Sequence, residues 1–304
     1  MTRHFITIDA LSREQLVAIC AAAREVDASV LEHDEIALVF ERPSLRTRAA
    51  AATAVHDLGG RVTFFGDDEI GLDSRESAED IGRTLAQMYS VAAMRLRRHA
   101  DFERIRRATQ DSLALINLMS ERAHPTQALA DVLTIADYLA DGDVTGLAGV
   151  RVAYLGDVTN VARSLAVALL LLGASVSLAA PAPYQLADSA VEDPRAISGE
   201  LTLTESIPEA LEGADVVYTD TWISMGLEAE AARRRQDLGA FQVNDATLAL
   251  ASPGAIVMHC LPAHRGEEIT DDVLDGPQSV VWRQVFHRRS AMRGALRWIK
   301  EEDQ

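Results

Sequence analysis

The chain is poor in cysteine and in long apolar runs, and each shortage excludes a class of protein. Its 304 residues include two cysteines, Cys20 and Cys260, which lie far apart in the sequence. Together with the lack of a signal-peptide pattern, this predicts a cytoplasmic, reducing setting and no disulfide framework. No apolar run has the length and lack of charge of a membrane span, and the longest candidate, residues 165–174, is typical of a buried helix.

Positive charge is also in short supply. The chain has 29 Lys and Arg against 46 Asp and Glu, a formal net charge of −17. This charge argues against non-specific binding to nucleic acid or to an anionic membrane, so an anionic substrate would need a local group of arginines. With 48% hydrophobic and 25% charged residues, the composition is that of a globular protein, and the length allows two domains of roughly 150 residues each.

Strand-like and helix-like segments alternate along the chain, which predicts an α/β fold with parallel sheets flanked by helices. Each half has its own set of apolar, strand-like runs. The predicted strands are 36–40, 61–65, 91–94 and 114–117 in the first half, then 151–155, 175–179, 215–218 and 255–259 in the second.

The Gly- and Asp-containing stretch 141–149 marks the predicted boundary between two domains. We expect a first domain over residues 1–140 and a second over residues 148–285, joined by a helix near 126–139 and by a C-terminal helix. That C-terminal helix, about 288–304, is expected to pack back on the first domain.

The sequence lacks the fingerprints of bound cofactors. The turn after the strand 151–155 has no set of three spaced glycines, which excludes a nicotinamide or flavin site of the usual dinucleotide-binding kind. His124, His259, Cys260 and His264 are not spaced as a closed metal site. We therefore predict no metal and no cofactor.

A candidate phosphate site stands at Ser44-Leu45-Arg46-Thr47-Arg48, where the first strand gives way to an Ala-rich helix. Guanidinium groups offer a planar fork of donors to phosphate oxygens, and a helix N-terminus adds free N–H groups and the positive end of its dipole. A solvated, capped helix start with surface arginines is the alternative interpretation of this stretch alone.

Polar side chains also occur where other predicted strands end, which is where ligands gather in an α/β sheet. Taken singly, each has an ordinary structural explanation, such as a surface charge, a helix cap or a buried thiol. The candidates are Arg95, His124, Gln127, Asn160, Asp220 and the run Met258-His259-Cys260-Leu261-Pro262.

Taken together, these residues resemble the aspartate/ornithine carbamoyltransferase family, and most closely its ornithine-specific members. The likeness covers almost the whole chain, because its motifs recur in the family's order and spacing. They are Ser44-Leu45-Arg46-Thr47-Arg48, His124-Pro125-Thr126-Gln127, Asp220-Thr221-Trp222-Ile223-Ser224-Met225-Gly226 and His259-Cys260-Leu261-Pro262-Ala263-His264-Arg265-Gly266.

The resemblance implies that the first domain binds carbamoyl phosphate and the second binds ornithine, whose δ-amine attacks the carbamoyl carbon. It implies a homotrimer or a multiple of trimers, in arginine biosynthesis. Among the catalytic residues, Arg95, His124 and Gln127 would contact the carbamoyl group, while Cys260 would face the amine and Arg288 would add a cationic contact. The implied carbamoyl phosphate-binding residues are Ser44, Leu45, Arg46, Thr47, Arg95, His124, Gln127, Cys260, Leu261 and Arg288. The implied ornithine-binding residues are Asn160, Asp220, Ser224 and Met225.

Departures from the family pattern cluster at the carbamoyl phosphate site. Leu45 and Leu96 stand where Thr is usual, Thr126 replaces a Cys, and the loop near Gly71 has no Gln. They leave two alternatives open: a carbamoyltransferase for a related amine or an acylated ornithine, and a non-catalytic relative that binds amino acid. The residues after Cys260-Leu261-Pro262 favour ornithine.

Overall fold

The computed structural model describes residues 2–186, 198–224 and 226–301. The chain divides into two compact units. The first unit holds the residues up to Ala130 and those from Phe286 onward, and the second is Asp131–Val285. The division falls inside two helices, Pro125–Leu139 and Val281–Lys300. No helix among the described residues combines the length and the apolar character needed to cross a membrane.

A four-stranded parallel sheet with strand order β2-β1-β3-β4 forms the middle of the first unit. Its strands are β1 (Glu35–Phe40), β2 (Arg61–Gly66), β3 (Val91–Arg95) and β4 (Ala114–Met119). Its helices are α1 (Arg13–Ala22), α2 (Leu45–Asp57), α3 (Asp67–Ile70), α4 (Ala78–Ala86), α5 (Ala100–Thr109) and the start of α6 (Pro125–Leu139). The predicted parallel sheet is confirmed.

The central strands of this sheet are almost wholly apolar, as parallel strands covered on both faces must be. Ala37 and Val39 of β1 pack in one cluster with Ile81 of α4 and Ile105 of α5. Phe40 pairs with Arg95 in the sheet. The carboxyl ends of β1 and β3 therefore lie side by side.

The later part of α12 (Val281–Lys300) belongs to the first unit and makes specific contacts there. Arg293 donates to Asp57 at 2.9 Å, and Arg289 pairs with the same carboxylate. Gly294 lies so close to α1 that a Cβ on it would be 2.4 Å from the carbonyl oxygen of Ile19. These contacts fix the face of α12 that carries Arg288.

A five-stranded parallel sheet with strand order β7-β6-β5-β8-β9 forms the middle of the second unit. Its strands are β5 (Arg151–Leu155), β6 (Ser175–Ala179), β7 (Leu201–Thr204), β8 (Val216–Thr219) and β9 (Ile256–His259). Its further helices are α7 (Asn160–Leu171), α8 (Ile207–Leu211), α9 (Ala231–Leu238), α10 (Asp245–Leu248) and α11 (Asp271–Leu274). The short edge strand β7 was absent from the sequence prediction.

Both sheets reverse their direction of winding at one point. In the first sheet the chain places β2 on one side of β1 and β3 on the other, and in the second it places β6 on one side of β5 and β8 on the other. Such a reversal opens a crevice beyond the carboxyl ends of the two strands, the usual ligand position in doubly wound sheets. Each unit thus has one crevice of this kind, beside β1 and β3 or beside β5 and β8.

Candidate functional site

The turn after β1 leads directly into helix α2. The candidate phosphate-binding motif, Ser44-Leu45-Arg46-Thr47-Arg48, spans the end of this turn and the start of the helix. Ser44 precedes the helix with extended backbone angles, and its side chain makes no capping hydrogen bond to the first turn. Its hydroxyl donates instead to Thr47 Oγ1 at 3.0 Å. The first backbone N–H groups of α2 are therefore not taken up by a Ser44 cap, which suits an anion at the helix N-terminus.

Arg288 of α12 contacts three other residues of the first unit. Its Nη1 donates to Gln127 Oε1 at 2.6 Å, and its Nη2 donates to Thr47 Oγ1 at 2.6 Å. The same Nη2 lies 3.5 Å from His124 Nε2. The side chains of Thr47, Gln127 and His124, the last of which directly precedes α6, thus meet around the buried guanidinium group of Arg288.

Two further arginines differ in their surroundings. Arg95 is buried at the end of β3, beside the end of β1. Arg46 is half-buried, and its Nε is shielded from solvent with no hydrogen-bond partner among the described residues. A desolvated guanidinium N–H without an acceptor indicates a place for an anionic oxygen. Arg48 points elsewhere, because its guanidinium carbon lies 4.0 Å from the centre of the Phe64 ring.

His124 is buried at the start of α6. Burial lowers the pKa of its imidazole well below the ordinary value, and the nearby cations Arg288 and Arg95 lower it further. The ring is therefore neutral at pH 7. Thr126 Oγ1 lies 3.4 Å from His124 Nδ1, so the residue that replaces the family's usual Cys lies against this ring.

Two of the off-pattern positions occupy opposite environments. Leu45 is 80% exposed, whereas Leu96 is buried in the apolar cluster beside β1 and β3. A larger or more polar residue at position 96 would disturb that cluster, whereas a change of side chain at position 45 removes no core contact. Gly71 ends the short helix α3 with φ of +53°, a backbone conformation that favours glycine.

In the second unit, Asp220 and Cys260 lie beyond the ends of neighbouring strands, β8 and β9. Both are buried, and the Cys260 Sγ donates a hydrogen bond to Asp220 Oδ1 at 2.9 Å. The backbone N–H of Thr221 donates to the same oxygen at 2.7 Å. With these two contacts on Oδ1, the carboxylate keeps further acceptor capacity for a ligand.

Three other residues were predicted to bind ornithine together with Asp220, namely Asn160, Ser224 and Met225. Asn160 is the first residue of α7, after the turn that follows β5, and β5 pairs with β8. Ser224 is half-buried in the segment that begins at Asp220. Met225 lies outside the described residues. Asn160 and Asp220 thus flank the crevice where the second sheet reverses direction.

Leu261 adopts a left-handed backbone conformation, with φ of +59°. Its N–H donates to His259 Nδ1 at 2.8 Å, and His259 Nε2 lies 3.1 Å from Glu268 Oε1, which assigns the ring proton to Nε2. Both His259 and Glu268 are fully buried. An unfavourable backbone conformation held by buried side chains is typical of functional loops.

The sequence analysis missed the role of these supporting residues. Glu268, nine residues after His259, carries no signal of its own, and only the fold brings the two together. Gln284 was also missed: its side chain accepts the His259 N–H at 3.0 Å and donates to the buried Asp131 at 2.7 Å. The sequence did offer one signal for a buried polar network, because Asp131 is a charged residue within a largely apolar predicted helix.

The chain is similar to known proteins over almost its whole length. Residues 3–137 match the family description "Aspartate/ornithine carbamoyltransferase, carbamoyl-P binding domain", and residues 148–299 match its "Asp/Orn binding domain". The ornithine carbamoyltransferase of Methanospirillum hungatei is 38% identical over 97% of this chain and 98% of its own length. That of Methanocaldococcus jannaschii is 37% identical over 98% and 99%. The solved ornithine carbamoyltransferase from Pyrococcus furiosus aligns with a TM-score of 0.90 at 35% identity, covering 97% of this chain and 96% of that one.

Proposed function

The chain belongs to the aspartate/ornithine carbamoyltransferase family, and we propose that it transfers the carbamoyl group of carbamoyl phosphate to the δ-amino group of L-ornithine. The products are L-citrulline and phosphate. The observation that carries the proposal is the cluster of Arg288, Thr47, Gln127 and His124, in the same unit as Arg46, whose buried Nε has no hydrogen-bond partner among the described residues. In a chain of net charge −17, so much buried positive charge in one place supports an anionic substrate.

In the donor half-site, Ser44, Arg46, Thr47 and the N-terminus of α2 bind the phosphate group. Arg95 contacts both the phosphate and the carbonyl oxygen, and Gln127 orients the carbamoyl NH2. Neutral His124 donates to the carbonyl oxygen, where negative charge develops in the tetrahedral intermediate, and Arg288 adds a positive charge close by. Fixed donors of this kind stabilise the charge without reorganisation during the reaction.

In the acceptor half-site, the Asp220 carboxylate binds the α-ammonium group of ornithine, and Asn160, Ser224 and Met225 hold its α-carboxylate end. The thiol of Cys260 and the carbonyl of Leu261 face the δ-amine and favour its neutral form. The amine nitrogen attacks the carbamoyl carbon, and the bond from that carbon to the phosphate oxygen breaks. The departing phosphate accepts the proton that the amine loses, so no covalent role for Cys260 is needed.

We further propose that the protein works in the cytoplasm as a homotrimer or a multiple of trimers, without nucleic-acid or membrane partners. The family resemblance supports the assembly, and the excess of acidic residues supports the absence of nucleic-acid binding. Sedimentation velocity on the purified chain tests the assembly directly. A monomeric or dimeric species at micromolar concentration contradicts it.

The function is tested by citrulline formation from carbamoyl phosphate with five acceptors: ornithine, N-acetylornithine, N-succinylornithine, putrescine and lysine. We expect turnover with ornithine alone. Turnover with an acylated ornithine or with putrescine in its place overturns the acceptor assignment. No turnover with any of the five contradicts the enzyme assignment and favours a non-catalytic amino-acid-binding relative.

A further inference from the structure

We propose that His264, Glu267 and Glu268, on the loop that follows β9, form a binding site for a divalent transition-metal ion. One ligand atom from each of these residues lies within 4.8 Å of the others. This proposal departs from the sequence prediction of no metal, which considered His264 with His124, His259 and Cys260 and not with Glu267 and Glu268. The three ligands differ from the donor and acceptor residues named above, and the site does not depend on the proposed function.

Two desolvated carboxylate oxygens point to a cation at this place. Glu268 is fully buried: its Oε1 accepts from the His264 N–H at 2.5 Å and contacts His259 Nε2, while its Oε2 is shielded from solvent and has no hydrogen-bond partner among the described residues. Glu267 pairs with Arg235 through Oε1 at 2.9 Å, and its Oε2 is likewise shielded and without a partner. Leaving a carboxylate oxygen buried without a donor is unfavourable, and a cation held by this cluster would give such an oxygen a partner.

His264 supplies the third ligand, and its imidazole nitrogen favours transition metals over Mg2+. Its Nδ1 lies 3.1 Å from Thr221 Oγ1, the kind of outer contact that orients a metal-binding imidazole. One imidazole nitrogen with two carboxylate oxygens suits Zn2+ or Mn2+, whereas Mg2+ prefers oxygen ligands alone. The Glu267 side chain is 25% exposed and His264 is half-buried, so an ion can reach the cluster from solvent.

A second cluster of potential ligands, Asp220, His259 and Cys260, is a weaker candidate. Both ring nitrogens of His259 are engaged, Nδ1 by the N–H of Leu261 and Nε2 by Glu268. The thiol of Cys260 is engaged by Asp220. A metal there would have to break these bonds, whereas the unpartnered oxygens of Glu267 and Glu268 lose none.

The test is isothermal titration of the full chain with Zn2+ after dialysis against a chelator, with Mg2+ titrated in parallel. We expect one Zn2+ per chain, little heat from Mg2+, and a higher unfolding temperature with Zn2+ present. His264→Asn and Glu267→Gln are each expected to weaken Zn2+ binding about tenfold or more. Glu212→Gln is the matched control, since Glu212 is an exposed acid of the same unit, and it should bind as the unchanged protein does.

Cys260→Ser separates the two clusters. Zn2+ binding that persists in Cys260→Ser and falls in both His264→Asn and Glu267→Gln supports the proposal. Binding that is lost in Cys260→Ser and retained in the other two variants assigns the ion to the second cluster and overturns it. The absence of stoichiometric Zn2+ binding also overturns it.

Discussion

Arg288 shows what a sequence can and cannot reveal about a single residue. The motifs identify it by resemblance as a cationic contact, but its partners Thr47 and Gln127 lie 241 and 161 residues away in the chain. Such contacts depend on how α2, α6 and α12 pack, which residue types and spacing do not encode locally. Glu268 and Gln284 escaped prediction for the same reason.

Replacing Arg46 by Ala should remove most of the donor binding. The unpaired Nε of Arg46 supports the proposal that this residue contacts the phosphate, so we expect catalytic efficiency with carbamoyl phosphate to fall by roughly 100-fold or more. Steady-state kinetics at saturating ornithine measure this. Arg48→Ala is the matched control. Arg48 lies two residues after Arg46 in the same helix, but its guanidinium group stacks on the ring of Phe64. Equal losses in the two variants contradict the assignment.

Asp220→Asn should weaken ornithine far more than carbamoyl phosphate. The amide keeps the shape and an acceptor for Cys260 but loses the charge that an α-ammonium needs. We expect ornithine binding to weaken by about 2–5 kcal/mol, which is roughly 30-fold or more. The two KM values, each determined with the other substrate saturating, report the change. Parallel increases in both place Asp220 outside the acceptor half-site.

Leu45→Thr should strengthen donor binding without changing stability. The side chain is 80% exposed, so its loss removes no core contact and should alter the free energy of unfolding by about 0.5 kcal/mol or less. A hydroxyl there can donate to the phosphate and contribute about 1 kcal/mol. The KM for carbamoyl phosphate should therefore fall several-fold. An unchanged KM means that position 45 does not contact the donor.

Among the elements, long and strongly apolar segments were the predictable ones. The strands predicted at 36–40, 61–65, 91–94 and 114–117 lie inside β1 to β4 and miss at most two terminal residues of each. β7 was missed because it is a four-residue edge strand that is only partly buried, so its apolar signal is weak. Helix α12 begins at Val281, several residues before the predicted 288, because its first turns carry exposed Trp282 and Arg283 and show little amphipathic pattern.

Asp57→Asn should loosen α12 from the first unit. The Asp57 side chain is 10% exposed and pairs with Arg289 and Arg293, so breaking the pairs should cost about 2–3 kcal/mol in the free energy of unfolding. Urea unfolding at pH 7 measures this. Glu25→Gln removes a pair with Arg297 on the same helix, but Glu25 is 65% exposed, so this control should change stability by about 0.5 kcal/mol or less.

The same pair predicts a pH dependence. The hydrogen bond from Arg289 holds the pKa of the Asp57 carboxyl below its ordinary value, with Arg293 acting in the same direction. The stabilisation is therefore fully present above the unfolded carboxyl pKa of about 3.9 and is lost as the pH falls through the lower folded value. The stability difference between the unchanged protein and Asp57→Asn should shrink as the pH falls below about 4. A difference that grows on acidification contradicts the ion pair.

At the scale of the whole molecule, the fold class was predictable and the strand orders were not. Alternation of strands and helices indicates parallel sheets, yet β2-β1-β3-β4 and β7-β6-β5-β8-β9 depend on which side each crossover takes. That choice is made by packing across the whole sheet. It also determines which polar residues become neighbours.

The overall pH profile should be governed by ornithine rather than by His124. Because the His124 pKa is held well below its ordinary value, the ring stays neutral from pH 6.5 upward and adds no step there. The δ-ammonium, with an ordinary pKa near ~10, must lose its proton before it attacks. The kcat/KM for ornithine should therefore rise about tenfold per pH unit between pH 7 and 9. A plateau that begins near pH 7 points to a different titrating group.

The reversal of winding in each sheet has a consequence for engineering. Each crevice is built by the strands of one unit, β1 and β3 or β5 and β8, and the donor and acceptor contacts proposed here follow this partition. We therefore predict that exchanging the loops after β5, β8 and β9 for those of a relative with another amine substrate changes the acceptor preference. The contacts of Arg288 with Thr47, Gln127 and His124 lie in the first unit and are unchanged in such a chimera, so one donor site would serve several acceptors.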